Sequence, residues 1–583
     1  MSFIRAMETR LSEQEKARLQ RVFAPQIVGV PPSNAWLDLC ALPDGEIRYY
    51  GHDEVGRFYL SSVDCGFTWK RYEVEDLSLM CAAVQDERTG IWYQSMVVGG
   101  DGGWHGIEYA ASPKGMRGWL VMMNHGGPGA PVEKWITLRP TNDCLNRSPL
   151  PLRSRDRVII PGHVSAQPMH PLLAITDDDG QTWRTIELPP APAHEATGRH
   201  KGFRWQNGAV EPTLVERSDG SLLLIVRTSQ DYHYQYESFD GGDTWTAPVP
   251  SPFHGTLTMP TMLRMEDGAL VFFFCNTQPL AELDKTAIYP PMNEGEITGL
   301  GGEDVFTNRD ANHAALSFDE GKTWKGFREM LLNPLRNESD FRTKGGNAGC
   351  LDKSVHQFQA VELPYGKILV VCGQHEWARK MLLLDPKWLL ETERCEDFTC
   401  GLINMSTQVY LKSVSGNIRA KSGHCAWNRT AGALLMPDPN GNYEEALYLR
   451  TNGDELLVSP QQGAAWNFPA AHKGEVTVRM MRVEDGITLS LTDRWFNPID
   501  PYAKEDARFT ADVTPFCPEN EWVNITLRWD EMNCTVYACG KPVAQLAPQH
   551  DAPHGLCYLI LQSPEAFTGN KGSYVKSLCH KAL

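Results

Sequence analysis

Two arginines stand where their side chains could bind a negatively charged group. Arg227 ends the apolar run LLLIVR, 16 residues after Glu211, and Arg309 lies 8 residues before Ser317. The planar guanidinium fork matches the two oxygens of a carboxylate. A pair of such forks therefore indicates that the protein binds an anionic group. The alternative is that both arginines are surface ion-pair partners.

Carboxyl and imidazole groups supply the candidates for proton transfer. Glu211 and Asp53 are two carboxyl groups that could divide acid and base work between them. Asp53 lies in the loop sequence GHDE, where His52 and Glu54 compete for the same role. A solvated loop acid is the alternative for Asp53. His356 could act as a general base on water or on a substrate proton, or it could be a hydrogen-bonded structural histidine.

The sequence predicts no catalytic metal and no cofactor. No group of His, Cys and Asp residues has metal-ligand spacing. His163 and His375 fall near predicted strand ends, and their roles stay open.

A repeated motif must position these side chains. The pattern Ser/Thr-x-Asp-x-Gly-x-Thr-Trp begins at Ser62, Thr176, Ser238 and Ser317, and a decayed copy spans Ser112 to Trp119. Asp and Ser side chains bond to backbone N–H groups of their own turn, and glycine supplies a positive φ. The tryptophan packs against neighbouring strands. The motif therefore predicts a structural hairpin turn, with no catalytic role for its aspartates.

A second regularity divides the chain into blades. Turns of the Asp-Gly type precede apolar strands at Pro43-Asp44-Gly45, Ser218-Asp219-Gly220, Glu266-Asp267-Gly268 and Pro364-Tyr365-Gly366. Together with the five motif copies, a last unit around residues 352–385 makes six blades. We therefore predict an all-β fold, a six-bladed β-propeller whose radial repetition leaves few exposed edges.

The motif resembles the Asp box of the sialidase superfamily, and the resemblance covers roughly residues 25–390. It implies an exo-acting glycoside hydrolase that removes a terminal acidic sugar. In that family three arginines bind the substrate carboxylate, a Tyr–Glu pair forms the nucleophile and an Asp is the acid/base. The resemblance places Glu211 at the glutamate, Asp53 at the acid/base, and Arg227 and Arg309 at the second and third arginines.

The first arginine of the family is missing from its expected place. It should stand in a motif like Arg-Ile-Pro near Ala35, where the chain has no arginine. Trp36 and His52 are the substrate-binding candidates in this part of the chain. Arg48 or Arg57 could substitute for the arginine in space.

The nucleophilic tyrosine is also replaced. Counting back from the glycine of the last Asp-Gly-type turn leads to Gln357, beside His356. Glutamine cannot serve as that nucleophile, so the usual covalent route is lost. We count His356 and Gln357 among the catalytic positions and expect attack by water with inversion.

The C-terminal part of the chain follows a different pattern. From about residue 400 the Asp boxes stop, and alternating strands such as GEVTVRMMRV and WVNITLRWD predict an antiparallel β-sandwich (jelly roll). This part resembles concanavalin-like lectin folds. Either a stabilising appendage or a sugar-binding domain fits the pattern. The predicted domains are 1–25 with a short helix, 26–400 as the propeller and 401–583 as the sandwich with its lead-in.

The net charge of the chain limits the classes of partner that it can bind. The net charge of -17 and pI near 5.5 argue against nucleic acid or an anionic membrane as the main partner. A carbohydrate is the expected partner, and the oligomeric state stays open. The N-terminal residues lack the pattern of a signal peptide, and the 15 cysteines form no CxxC pair. We therefore expect a cytoplasmic protein with free, buried thiols.

Three functions remain in view. The first is a hydrolase that releases sialic acid or another acid sugar such as a uronate. If one activity is named, we expect exo-α-sialidase. The second is a uronate-directed lyase, or another propeller glycosidase that uses His356. The third is a sugar-binding protein that has lost activity. The fold alone does not choose among them.

Overall fold

The computed structural model describes most of the chain. The described residues are 2–32, 39–53, 55–74, 82–98, 116–195, 208–279, 309, 311–332, 355–373, 378–407, 409–412, 427–430, 432–441, 444–451, 461–565 and 571–583.

Short strands dominate the first two-thirds of the chain. They are β1 (Gln26–Gly29), β2 (Leu39–Ala41), β3 (Ile47–His52), β4 (Arg57–Ser62), β5 (Lys70–Glu73), β6 (Val84–Gln85), β7 (Trp92–Val98), β8 (Gly118–Asn124), β9 (Lys134–Arg139), β10 (Cys144–Asn146), β11 (Leu150–Pro151), β12 (Val158–Val164), β13 (His170–Thr176), β14 (Arg184–Glu187), β15 (Ala209–Glu216), β16 (Leu222–Thr228), β17 (Tyr232–Ser238), β18 (Val249–His254), β19 (Thr261–Arg264), β20 (Leu270–Phe274), β21 (Ala311–Ser317), β22 (Lys325–Leu332), β23 (Phe358–Leu363), β24 (Lys367–Cys372) and β25 (Lys380–Leu384).

These strands form six antiparallel sheets in chain order. They are β2–β5, β6–β9, β10–β14, β15–β18, β19–β22, and β23–β25 with β1 at the outer edge. Neighbouring sheets touch, and β23 of the sixth sheet returns to β2 of the first. There the Leu39 backbone N–H donates to Oε1 of Gln359 at 2.9 Å. The all-β fold predicted from the sequence is confirmed, and β1 joins the N-terminal segment to the last blade.

The Asp boxes staple the third strand of a sheet to the fourth. In the fourth sheet, Oδ1 of Asp240 accepts hydrogen bonds from the Ser238 hydroxyl at 2.9 Å and the Thr244 N–H at 2.9 Å. The indole N–H of Trp245 donates to the carbonyl of Gly242 at 3.0 Å, and Gly242 has φ 99°. The first, third and fifth sheets repeat this turn at Asp64, Asp178 and Asp319. The predicted structural role of the boxes is confirmed.

The second sheet departs from the prediction. Trp119, assigned to a decayed box, lies inside the third strand, β8, and its indole donates to Ser95 Oγ at 2.6 Å. The copy assigned to Ser112–Trp119 is therefore wrong in its position, and its first four residues lie outside the described residues. The turn after β8 is held by Asn124, whose amide donates to the carbonyls of Gly127 and Ala130. In the second sheet, the side chain of Asn124 therefore stabilises the turn between the third and fourth strands, as the aspartate does in the Asp boxes.

The predicted Asp-Gly-type turns join the first and second strands of four sheets, and acidic side chains link these hairpins to neighbouring sheets. Glu216 of β15 accepts from the Ser154 N–H at 3.0 Å. Glu362 of β23 accepts from the Glu266 N–H at 2.6 Å. The two glutamates stand at the same place in their sheets, so each fixes one blade against its neighbour.

Two short helices precede the propeller. They are α1 (Phe3–Arg10) and α2 (Glu13–Gln20), and a capping box between Ser12 and Glu15 begins α2. Met7 and Leu19 are buried against the core of the first and sixth sheets. The helices therefore cover the junction at which the ring closes. None of the described helices is long and apolar enough to cross a membrane.

The remaining strands belong to the C-terminal part. They are β26 (Glu393–Glu396), β27 (Met405–Ser406), β28 (Val409–Lys412), β29 (Trp427–Thr430), β30 (Leu434–Pro437), β31 (Glu445–Leu449), β32 (Gly463–Ala471), β33 (Gly474–Arg482), β34 (Thr488–Thr492), β35 (Phe509–Asp512), β36 (Trp522–Trp529), β37 (Cys534–Ala538), β38 (Lys541–Leu546), β39 (Leu556–Gln562) and β40 (Ser573–Ala582), with a helix α3 (Ala503–Asp506).

Two of the sheets formed by these strands face each other as a β-sandwich. One runs β30-β31-β40-β33-β36-β37-β38 with β26 beside β40, and the other runs β27-β32-β39-β34-β35. Apolar residues from both fill the space between them. The outer face of the second sheet carries Tyr558 and Ile560, which pack with Phe272 and Phe274 of the propeller. The sandwich is thus joined to the fifth sheet through an apolar interface.

One disulfide corrects the expectation that all thiols are free. Cys395 of β26 and Cys579 of β40 lie opposite each other in the sheet register and are bonded. Of the ten other described cysteines, only Cys400 and Cys539 are exposed. The expectation of buried free thiols therefore holds for most of the remaining described cysteines.

The Glu362 contact predicts a pH dependence of stability. Burial raises the pKa of Glu362 from 4.5 to about 7; the hydrogen bond from the Glu266 N–H acts to lower it, and the charges of Glu266 and Asp267 act to raise it. The folded state therefore binds this proton more tightly, and its contribution to stability is lost as the pH rises from 4.5 through about 7. We expect Glu362→Gln to flatten this part of the stability profile in urea unfolding. Glu13→Gln, at an exposed position, is the control; an unchanged slope in Glu362→Gln would contradict the assignment.

Candidate functional site

Glu211 is held in a bulge of the fourth sheet. It has φ 49°, and the pairing of β15 with β16 skips between Val210 and Thr213. Such a backbone costs ~1–3 kcal/mol and is retained where the surroundings fix it. Part of that support is the hydrogen bond from the Glu211 N–H to Nδ1 of His163 in the third sheet, at 3.1 Å. The bulge places the Glu211 carboxylate near the start of β15, the first strand of the fourth sheet.

Arg227 is the ion-pair partner of Glu211. Its Nη1 donates to Oε2 of Glu211 at 2.9 Å, and the two side chains are 4% and 5% exposed. Val210 and Arg227 pair across β15 and β16, so the sheet register places the two side chains together. Breaking a buried pair by removing one partner costs about 3–5 kcal/mol.

His356 and Arg309 bring the fifth and sixth sheets to the same place. The His356 side chain is buried, and its pKa lies well below 6.5, first because of burial and then because of Arg309 and Arg227. Arg309 is 2% exposed, donates from Nη2 to the carbonyl of Leu257, and accepts from the Val355 N–H at 2.8 Å. The imidazole is therefore neutral at pH 7, next to two guanidinium groups.

Gln357 occupies a strained position beside His356. It has φ 68° and is 3% exposed, immediately before β23 begins. It thus repeats in the sixth sheet the left-handed backbone of Glu211 in the fourth. The amide carries no charge, so at this position it can orient a ligand by hydrogen bonds but cannot attack it.

The sequence analysis missed one arginine of this cluster. Arg147 follows β10 of the third sheet, is 8% exposed, and interacts electrostatically with Glu211. Burial lowers its pKa to about 10, with Glu211 acting in the opposite direction, so it stays charged at pH 7. Its guanidinium is oriented by the sulfur of Met259 and the hydroxyl of Thr261. The signal was present: Arg147-Ser148-Pro149 keeps the outer residues of Arg-Ile-Pro, but in the third sheet instead of the first.

The cluster adjoins a central cavity of about 400 Å³. All six sheets contribute to its wall, through Cys40, Val84, Arg147, Thr213, Thr261 and Phe358. Pockets of this size hold small ligands, and a few convergent polar groups fix their orientation. We define the arginine cluster as Arg147, Glu211, Arg227, Arg309 and His356.

Asp53 lies in a different environment. It is in an exposed turn, where Oδ2 accepts from Arg71 at 2.7 Å and Oδ1 accepts from the Val55 N–H at 3.0 Å. The bond with Arg71 lowers its pKa. That direction is opposite to the one a general acid needs. The described contacts of Asp53 do not join it to the arginine cluster.

The structure does not place the remaining candidates in the arginine cluster either. Trp36 and Glu54 lie outside the described residues, as does His375, and His52 is described only by its backbone, which pairs with Arg57. Arg48 bonds to Glu46 and to the carbonyl of Pro128, both at 2.9 Å. Arg48 therefore links the first sheet to the turn between β8 and β9 of the second sheet. In the described part of the chain, no group of three His, Cys, Asp or Glu residues is arranged to hold a metal ion.

Comparison with known proteins gives one family match. Residues 141–339 match the BNR repeat-like domain, a span that contains Arg147, Glu211, Arg227 and Arg309. No curated protein matches the chain.

The chain is also similar to solved structures at low sequence identity. Trypanosoma rangeli sialidase in complex with 2,3-difluorosialic acid, a covalent intermediate, is 12% identical, with 96% of this chain and 91% of that chain covered and a TM-score of 0.36. A protein of unknown function from Dyadobacter fermentans DSM 18053 is 15% identical, with 62% and 97% covered and a TM-score of 0.37.

The buried site predicts that His356 does not titrate near neutral pH. Because burial, Arg309 and Arg227 all disfavour the imidazolium, we expect the His356 ring signals to stay constant between about pH 5 and 8. The measurement is NMR of histidine-labelled protein, with the signal assigned by its loss in His356→Asn. A titration midpoint within that range would contradict the assigned environment.

Proposed function

We propose that this chain, a member of the sialidase, or BNR-repeat, superfamily, is an exo-acting glycoside hydrolase that releases a terminal acidic sugar. One observation carries the proposal: the third, fourth and fifth sheets each bring a buried arginine to the region of Glu211. The sixth sheet adds His356. Sialic acid and uronates are the sugars with the carboxylate that such a site would bind.

The arginines act on the substrate carboxylate. Guanidinium forks bind both oxygens of a carboxylate, and such charge-assisted hydrogen bonds contribute about 1.5–3 kcal/mol each. Arg147 and Arg227 are oriented by neighbouring side chains, and Arg309 by a backbone carbonyl. Side chains that are already ordered lose less conformational entropy on binding. The cluster therefore binds the acid group of a sugar and fixes its orientation over the central cavity.

Proton transfer is assigned to the neighbouring groups. In hydrolysis, water forms a bond to the anomeric carbon, the glycosidic C–O bond breaks, one proton leaves the water and one proton reaches the leaving oxygen. Glu211, or the neutral His356, accepts the proton of the water. Gln357 stands where a covalent route would need a nucleophile, which favours direct attack by water and inversion.

Asp53 is the proposed acid, under one condition. Its ion pair with Arg71 keeps it ionised. Substrate binding must separate Asp53 from Arg71 and surround the carboxyl with less polar groups before it can donate a proton. The pair is exposed to solvent, where ion pairs are weak, so a bound sugar can displace it.

A uronate-directed lyase is the second candidate. The neutral His356 beside Arg227 and Arg309 favours it. These arginines would hold the carboxylate of a uronate and increase the acidity of the adjacent C–H. His356 would take that proton, and the leaving oxygen would depart with formation of a C=C bond. The product would be an unsaturated uronide that absorbs ultraviolet light.

The proposal predicts release of the aglycone from aryl glycosides of acidic sugars. We expect Glu211→Gln to lower kcat/KM at least about 100-fold, because a positioned acid or base contributes ~10²–10⁴. Glu216→Gln is the matched control, since Glu216 lies at the other end of β15 and contacts the neighbouring blade. Circular dichroism and thermal unfolding check that both variants fold.

Activity assays with aryl glycosides and polymeric uronates, which we call the activity panel, distinguish the three functions. Full turnover in folded Glu211→Gln would refute the assigned role of Glu211. Ultraviolet-absorbing products from polymeric uronates, lost in His356→Gln, would replace the hydrolase by the lyase. An acidic sugar that binds without any turnover would leave a binding protein.

A further inference from the structure

A second cavity lies where the propeller meets the sandwich. Its volume is about 400 Å³, within the range of pockets that hold small ligands. The fourth sheet supplies Tyr232 and His254, and the sandwich supplies Asp493, Arg494 and His554. Neither domain forms this wall alone. We call it the interdomain pocket.

Aromatic rings form the apolar surface of the interdomain pocket. Tyr232 is 39% exposed, and its ring lies 4.4 Å from the ring of His254, its partner in the register of β17 and β18. Elsewhere in the wall, His554, in the turn before β39, stacks on Phe327 of β22 with ring centroids 4.5 Å apart. An exposed tyrosine with a fixed ring offers a flat apolar face at low entropic cost and a hydroxyl for hydrogen bonding.

A fixed polar pair stands beside these rings. Arg494 donates from Nη1 to Oδ1 of Asp493 at 2.7 Å and from Nε to Oε1 of Gln278 at 2.7 Å. Nε2 of His254 lies 3.6 Å from the other oxygen of Asp493. Burial and Arg494 lower the pKa of His254, so this ring is neutral at pH 7. Donors and acceptors are therefore held in place next to the aromatic face.

The charge of the interdomain pocket distinguishes it from the arginine cluster. Asp493, Asp506 and Asp551 contribute three acidic side chains, against the one guanidinium of Arg494. The pKa of Asp493 is lowered: burial acts to raise it, but Arg494 and His254 act more strongly in the other direction. An anionic ligand is thus repelled, while a neutral ligand with many hydroxyl groups finds both donors and acceptors.

The interdomain pocket opens on the same end of the fourth sheet as the arginine cluster. Arg309 of the cluster donates to the carbonyl of Leu257, three residues after His254. Three trans peptide units span at most ~11 Å between Cα atoms. The two sites are therefore neighbours, but no residue belongs to both.

We propose that the interdomain pocket is a second saccharide-binding site, which takes an uncharged sugar ring on Tyr232 with its hydroxyl groups against Asp493 and Arg494. The acidic sugar of the proposed reaction belongs in the arginine cluster, so this site has a different ligand class. It gives the sandwich a direct share in carbohydrate binding, because the sandwich supplies the polar side chains that contact the sugar.

The test is calorimetric titration of the full chain with lactose, an uncharged disaccharide, up to about 50 mM, which covers the millimolar affinities of small ligands. We expect saturable binding by the wild type and by Tyr232→Phe, and binding at least 10-fold weaker in Tyr232→Ala. Phe239→Ala is the matched control, because Phe239 is also exposed, at 72%, but lies in the Asp box at the far end of β17. Glucuronate, added as an anionic competitor, should leave lactose binding unchanged.

The outcomes separate this site from the proposed catalytic site. Loss of lactose binding in Tyr232→Ala with unchanged release from an aryl sialoside supports a distinct second site. Absence of saturable lactose binding by the wild type overturns the inference, whatever the activity panel shows. Equal affinity in Tyr232→Ala, or an equal loss in Phe239→Ala, overturns it as well. An inactive protein that still binds lactose on Tyr232 would refute only the proposed hydrolysis.

Discussion

The site depends on the buried ion pair between Glu211 and Arg227. The two side chains meet because β15 is bulged at Glu211 while Val210 keeps its register with Arg227. A buried pair of this kind is stable only when its geometry and remaining hydrogen bonds are fixed. The neighbouring third sheet helps by anchoring the Glu211 backbone through His163. The cluster is therefore a product of several blades, and a change in blade packing would alter its geometry.

The blades reach the centre in a similar way. A non-glycine residue with positive φ stands at or just before the inner strand in four of the described sheets: Ala82, Glu211, Leu257 and Gln357. In the fourth sheet this bend presents a carboxylate, in the sixth an amide, and in the fifth it exposes the carbonyl that receives Arg309. Away from the centre, the Asp boxes join the third and fourth strands of four sheets. The positive-φ residues therefore lie near the inner strands, and the hydrogen-bonded Asp-box turns lie at the outer strands.

The sequence predicted the local turns better than the long-range pairings. The Asp boxes and Asp-Gly-type turns are visible because all their hydrogen bonds lie within a few residues. The sequence does not predict the role of Asn124, because its amide stabilises the turn through hydrogen bonds to backbone carbonyls and no recognisable motif surrounds it. The Cys395–Cys579 disulfide joins residues 184 positions apart, a pairing that cysteine spacing does not reveal.

The candidate site shows the same division. Glu211, Arg227 and Arg309 can be singled out as candidates from the sequence because each has a fixed offset from a recognisable turn or box. The sequence does not single out Arg147 because the family pattern places the first arginine in the first sheet, whereas in this structure Arg147 reaches the same centre from the third sheet. The contact of Asp53 with Arg71 could not be predicted either, because it depends on how the β3–β4 hairpin and β5 bring two exposed side chains together.

The central claim is that the arginine cluster binds the carboxylate of an acidic sugar. The most direct measurement compares the binding of free sialic acid and of its methyl ester to the same protein by calorimetry. The ester keeps the shape and the hydroxyl groups but removes the negative charge. We predict that the free acid binds at least 10-fold more tightly, a difference of about 1.4 kcal/mol or more, and that the advantage shrinks in Arg147→Met. Equal affinity for the acid and the ester would contradict the account.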